Sequence, residues 1–147
     1  MSFWLAGMRI TAARLNVYKS IVKDTTAGRT TTSTTYGNLS GGAFSTSVLV
    51  PASGVVSVTI RATGRNSTAN GLTSYLAVGS VSGTVFSPSD PEAMVIASIA
   101  NNRPDMLRDM ISGLSPGETL TVTTQHRVNT ASTATYDFRQ ILLEGQP

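Results

Sequence analysis

The chain has 147 residues, enough for one domain with a real core, and a net charge of +3. Only 13% of its residues are charged and none is cysteine, which excludes disulfides and thiolate metal sites. No run approaches the ~20 apolar residues that span a bilayer as a helix, and the abundant Thr, Ser, Gly, Val and Ala favour pleated strands and turns.

Residues 1–16 differ from the rest. Phe3, Trp4, Leu5, Met8, Ile10 and Leu15 put an apolar cluster and the only tryptophan at the front. The run at residues 3–6 is too short for a signal peptide, and no basic segment precedes it. Thr11 suits an N-cap for a short helical turn over residues 12–15, closed by Asn16. A terminus this apolar must fold back on the body or insert into a partner. Arg9, Arg14, Lys19, Lys23 and Arg29 are the densest basic set, with Asp24 the one acid among them. They are too dispersed for a nucleic-acid face, and read as solvated charge or as an arm docking on an acidic neighbour.

Residues 17–23 read as a strand, and the Thr/Ser-rich residues 24–36 as a polar edge strand with Gly28 at a turn. A loop follows at residues 37–42. Residues 43–50 alternate Phe44, Thr46 and Val48 against Ser45, Ser47 and Leu49. A tight connection at residues 51–54 leads to residues 55–64, where Val56, Val58, Ile60 and Ala62 share one face. The two stretches together suggest a hairpin. In the polar loop 65–71, the tripeptide from Asn66 fits a glycosylation acceptor, a pattern that chance often supplies. A strand broken by Gly79 is expected over residues 72–81, an exposed loop over 83–92, and a strand buried on both sides over 94–99.

Residues 101–113 admit two readings. Pro104 and Asp105 at a first turn, with Leu107, Ile111 and Leu114 at helical spacing, support a helix. A strand over residues 107–112, leading into the turn signature Leu-Ser-Pro-Gly at residues 114–117, is the alternative, and it is preferred because such turns join paired strands. The clearest element comes next. Leu120, Val122, Thr124, His126 and Val128 face one way, and Thr121, Thr123, Gln125 and Arg127 the other. The chain closes on residues 133–144, where Tyr136, Phe138 and Leu142 oppose Asp137, Arg139, Ile141 and Leu143. The whole predicts an all-β protein, a jelly-roll-like antiparallel sandwich of about eight strands over residues 17–147 carrying the arm 1–16.

Catalytic chemistry finds little support. His126 is the only histidine and falls on an apolar face, so a core or interface imidazole is the simplest reading, with no second imidazole or carboxylate pair for a metal. The serines lie in no nucleophile elbow. Asp105 and Asp109 beside Arg103 and Arg108 read as a solvated charge cluster, and Asp90 and Glu92 lack calcium-loop spacing. No catalytic residue, cofactor or metal is expected. Tyr75 and Tyr136 are the candidates for stacking a sugar, as a carbohydrate-binding adhesin would require, and each suits the core equally.

Residues 6–16, AGMRITAARLN, resemble the opening of many small structural proteins of tailed bacteriophages, the minor tail and fibre proteins. There a Gly precedes an apolar residue and then Thr-Ala-Ala/Asp-x-Leu-Asn. The resemblance implies a virion protein whose N-terminal arm attaches it to the particle and whose body is β-rich. It further implies a homo-oligomer, a trimer, contacting other virion proteins. From the dispersed charge and the lack of an apolar span, neither nucleic acid nor membrane is expected as a partner. A capsid decoration protein is the alternative within this class, and an adhesin for a host-surface glycan the alternative outside it.

Overall fold

The computed structural model describes residues 18–68, 73–81, 84–85, 88–96 and 102–147, and of residues 73–81, 84–85 and 90 the backbone. Threonine, valine and isoleucine favour the pleated backbone, and the described residues form ten strands. These are β1 (Lys19–Asp24), β2 (Arg29–Thr31), β3 (Phe44–Leu49), β4 (Val56–Asn66), β5 (Thr73–Val81), β6 (Thr84–Val85), β7 (Met94–Ile96), β8 (Arg103–Ile111), β9 (Thr119–Val128) and β10 (Ala134–Gly145). A 3-10 turn, Asp90–Glu92, precedes β7.

Two antiparallel sheets stack face to face. One runs β1-β10-β4-β8, with β2 also on β10; the other runs β3-β9-β5-β6, with β7 also on β5. β1 and β2 lie along the same flank of β10, opposite residues 139–144 and 134–136, so they act as one broken edge strand. β6 and β7 share the flank of β5 that β9 leaves free. Merging each pair gives eight strands in the orders 1-8-3-6 and 2-7-4-5. That is the strand order of a jelly roll.

In this topology the chain crosses between sheets at nearly every connection, which corrects the expected hairpin. β3 and β4 lie in opposite sheets, and so do β8 and β9. The two turn signatures that suggested paired strands instead grip each other. Val50 N–H donates to the Glu118 carbonyl (2.7 Å), Gly117 N–H to that of Val50 (2.9 Å) and Leu114 N–H to that of Gly54 (3.1 Å). Gly54 sits at φ +67°, and a Cβ there would lie 2.6 Å from the Leu114 carbonyl oxygen. Gly54→Ala combines a left-handed backbone with a clash against main chain. We expect a loss of about 2–4 kcal/mol in a denaturant titration.

The preference for strand over helix holds, as β8, which begins before the expected residue 107 and ends at Ile111. β7 does not match its expectation: Met94 and Ile96 are buried but Val95 is exposed, ordinary alternation rather than burial on both sides. The expected 65–71 loop starts late, because β4 runs on to Asn66, which is fully buried and closed to glycosylation.

Every predicted inward residue of β9 is buried. Its Leu120, Val122 and Val128 join Val58, Ile60 and Ala62 of β4 and Ile141 and Leu143 of β10 in one core cluster. β10 departs from simple alternation. A β-bulge between Tyr136 and Phe138 shifts its pairing with β4. Tyr136 therefore faces inward with Arg139, Ile141 and Leu143, not outward with Phe138 and Leu142. The extra residue of a bulge swaps the two faces for the remainder of the strand. At the bulge, Asp137 accepts from Gly28 N–H (2.7 Å), Arg65 Nη1 (2.7 Å) and Asn102 Nδ2, filling the gap between β1 and β2.

Candidate functional site

Phe3, Trp4, Leu5, Met8, Ile10 and Leu15 lie outside the described residues, as does the side chain of Tyr75. Tyr136 is 1% exposed. Its ring meets His126 edge-on, centroids 4.9 Å apart. A side chain so placed offers a sugar no face, so Tyr136 is a core residue and not a ligand contact. His126 is also fully buried. Its backbone pairs with Gly37, so residues 33–37 extend the β3 margin along β9. Among the described residues no three His, Asp or Glu side chains gather as metal ligands. None of the described helices is long and apolar enough to cross a membrane.

A charge cluster that alternation alone does not reveal lies between the sheets. Arg139 is 4% exposed, and its Nη2 donates to Asp24 Oδ2 on the neighbouring strand. Its guanidinium stands 4.5 Å from the centroid of the Phe44 ring, a cation–π contact across the core. Arg29 Nε lies 3.6 Å from the same Asp24 oxygen. Burial alone would raise the Asp24 carboxyl, but hydrogen bonds from Arg139 and Thr26 outweigh it and bring it down to about 2. This cluster locks the β1 edge to β10 and to the opposite sheet. It is a structural device.

The surface with binding chemistry is the outer face of β1-β10-β4-β8. Strand register sets its rows: Lys23, Gln140, Arg61 and Met106; then Ile21, Leu142, Thr59 and Arg108; then Lys19, Glu144, Ser57 and Met110. Ile21 is 51%, Met106 63% and Met110 56% exposed. Lys19 is matched by Glu144 at 3.0 Å, and above these rows Arg65 is matched by Asp137 at 2.7 Å. Lys23, Arg61 and Arg108 are in no ion pair among the described residues. Arg61 leans over the Phe138 ring (5.8 Å) and Arg108 Nε donates to Ser57 Oγ (3.0 Å). Beside Met106 a shallow open hollow of about 370 Å³ is lined by Arg61, Pro104, Asp105 and Met106. At strand spacing the three rows cover about 300–400 Å² in plan.

β8 ends its sheet, and most of its free margin offers no open N–H. Backbone N–H groups alternate sides along a strand, so positions 104, 106, 108 and 110 share the open side. Pro104 has no N–H to offer. Met106 N–H is taken by Asp105 Oδ1 (2.8 Å) and Met110 N–H by Asp109 Oδ1 (2.7 Å). Proline and carboxylate caps of this kind block strand addition. The aspartates that sequence offered as a solvated cluster thus have a local task. The face itself escaped sequence reading because it is assembled from four strands. Its one visible sign was Met-x-Arg-x-Met at residues 106–110, which shares a side only in a strand.

No protein-family model matches the chain, and no curated protein matches it.

Proposed function

We propose that the chain is a structural protein of a tailed-bacteriophage particle, a minor tail or fibre-type component working in several copies. Residues 1–16 are its attachment arm and the sandwich is its body. What carries this reading is the arm motif AGMRITAARLN joined to a body with jelly-roll strand order, an order common among viral shell proteins. Phe3, Trp4 and Leu5 would each contribute ~1.5–3 kcal/mol when buried in a neighbour, before ordering costs. Repeated copies multiply such anchoring. The work is assembly rather than catalysis. The same jelly roll suits a capsid decoration protein, and the position of a label on the particle separates the two.

Deleting residues 2–10 tests the arm. The truncated protein keeps its β-rich circular dichroism and its melting temperature, yet purified particles no longer contain it. Incorporation at the full level would refute the anchoring role.

A further inference from the structure

We propose that the outer face of the β1-β10-β4-β8 sheet is a docking surface for a protein partner that presents acidic side chains around an apolar strip. The inference does not rest on the phage reading. Three kinds of observation converge on it.

The face mixes exposed apolar side chains, Ile21, Met106 and Met110, with cations that form no ion pair among the described residues, Lys23, Arg61 and Arg108. Methionine is flexible and polarizable, and suits a surface that must mould itself to another protein. Charge then selects the occupant. A second copy would lay cation on cation. The chain's own first seventeen residues carry Arg9 and Arg14 and no acid, so they repel the face as well. A nucleic acid would satisfy the cations but strand the methionines and Ile21, and Phe138, the aromatic here, already lies beneath Arg61. An acidic protein surface with an apolar centre satisfies both halves. Because the β8 margin is capped, the partner is held by side chains on the face and not by an added strand.

The test is a nuclear magnetic resonance titration of the full chain with a synthetic peptide of alternating Glu and Leu. Saturable shifts should centre on residues 19–23, 57–63, 106–110 and 140–144, and binding should weaken as salt rises. Arg61→Glu with Arg108→Glu should weaken it at least tenfold, and Met106→Ser with Met110→Ser several-fold at unchanged charge. Melting curves report whether each variant folds; if a double variant does not, Lys23→Glu and the footprint on the unaltered chain decide. A Glu–Gly peptide binding equally well would reduce the face to bare charge attraction and overturn the proposal. So would tighter binding of a thymidine oligonucleotide on the same residues, or self-association through the face in sedimentation. Shifts there on deleting residues 2–17 would name the arm as the occupant instead, and a footprint elsewhere, or none at millimolar peptide, is equally fatal.

Discussion

Asp24→Ala should destabilise the protein by about 3–5 kcal/mol, because it strands the Arg139 guanidinium between the sheets. Among the described residues, Arg139 Nε and Nη1 have no hydrogen-bond acceptor, and Asp24 is the counter-charge that makes the burial tolerable. Guanidinium-chloride unfolding at pH 7 measures the loss. Asp24→Leu combined with Arg139→Met should recover most of it, since removing both charges removes the desolvation cost with them. If the single and double variants are equally unstable, the cluster matters for shape alone. The pH dependence has a definite sign. With its folded value at about 2 against 3.8 when unperturbed, Asp24 contributes fully above about pH 4. That contribution, about 2 kcal/mol, is lost as pH falls from 4 to 2, where the unfolded chain takes up a proton first.

Acid should loosen the sandwich well before the carboxylates titrate. His126 is the only histidine. Burial and the positive charge of Arg139 hold its imidazole well below its ordinary value, with a Gly37 backbone group opposing in part. It is therefore neutral in the fold and protonates readily only when the chain unfolds. Stability should be level above pH 6.5 and fall by about 1.4 kcal/mol per unit below it, until the folded imidazole itself titrates. Denaturant titrations at half-unit steps between pH 7.5 and 4.5 give the slope. His126→Gln, even if less stable at pH 7, should flatten that interval; a slope that survives the substitution would assign the effect to another group.

Where alternation is strict and apolar, the sequence was sufficient. β9 and the first part of β4 could be placed residue by residue, since the side-chain period of a strand is fixed by its backbone. What alternation cannot carry is pairing. The turns at residues 51–54 and 114–117 look like hairpin turns because Pro and Gly report local φ, not which sheet the next strand enters. They proved to be facing corners bonded to each other. β10 failed for a related reason: one bulge inverts every later position, and nothing in the residues around Asp137 announces it. The candidate site fared worst. Its rows combine residues more than a hundred positions apart, such as Lys23 and Gln140, so only the fold assembles them. Tyr136 had the right chemistry for a surface role, and the bulge turned it inward.

The capped margin of β8 has a consequence for how such a protein can change over generations. Were contacts made by backbone pairing, any acceptor with an open strand would serve, and crowded copies would zip into ribbons. With Pro104 and the Asp105 and Asp109 caps in place, the proposed docking would be written mainly in replaceable side chains on a finished scaffold. Substitutions at Lys23, Arg61 or Met106 would then retarget the molecule while leaving its folding instructions untouched.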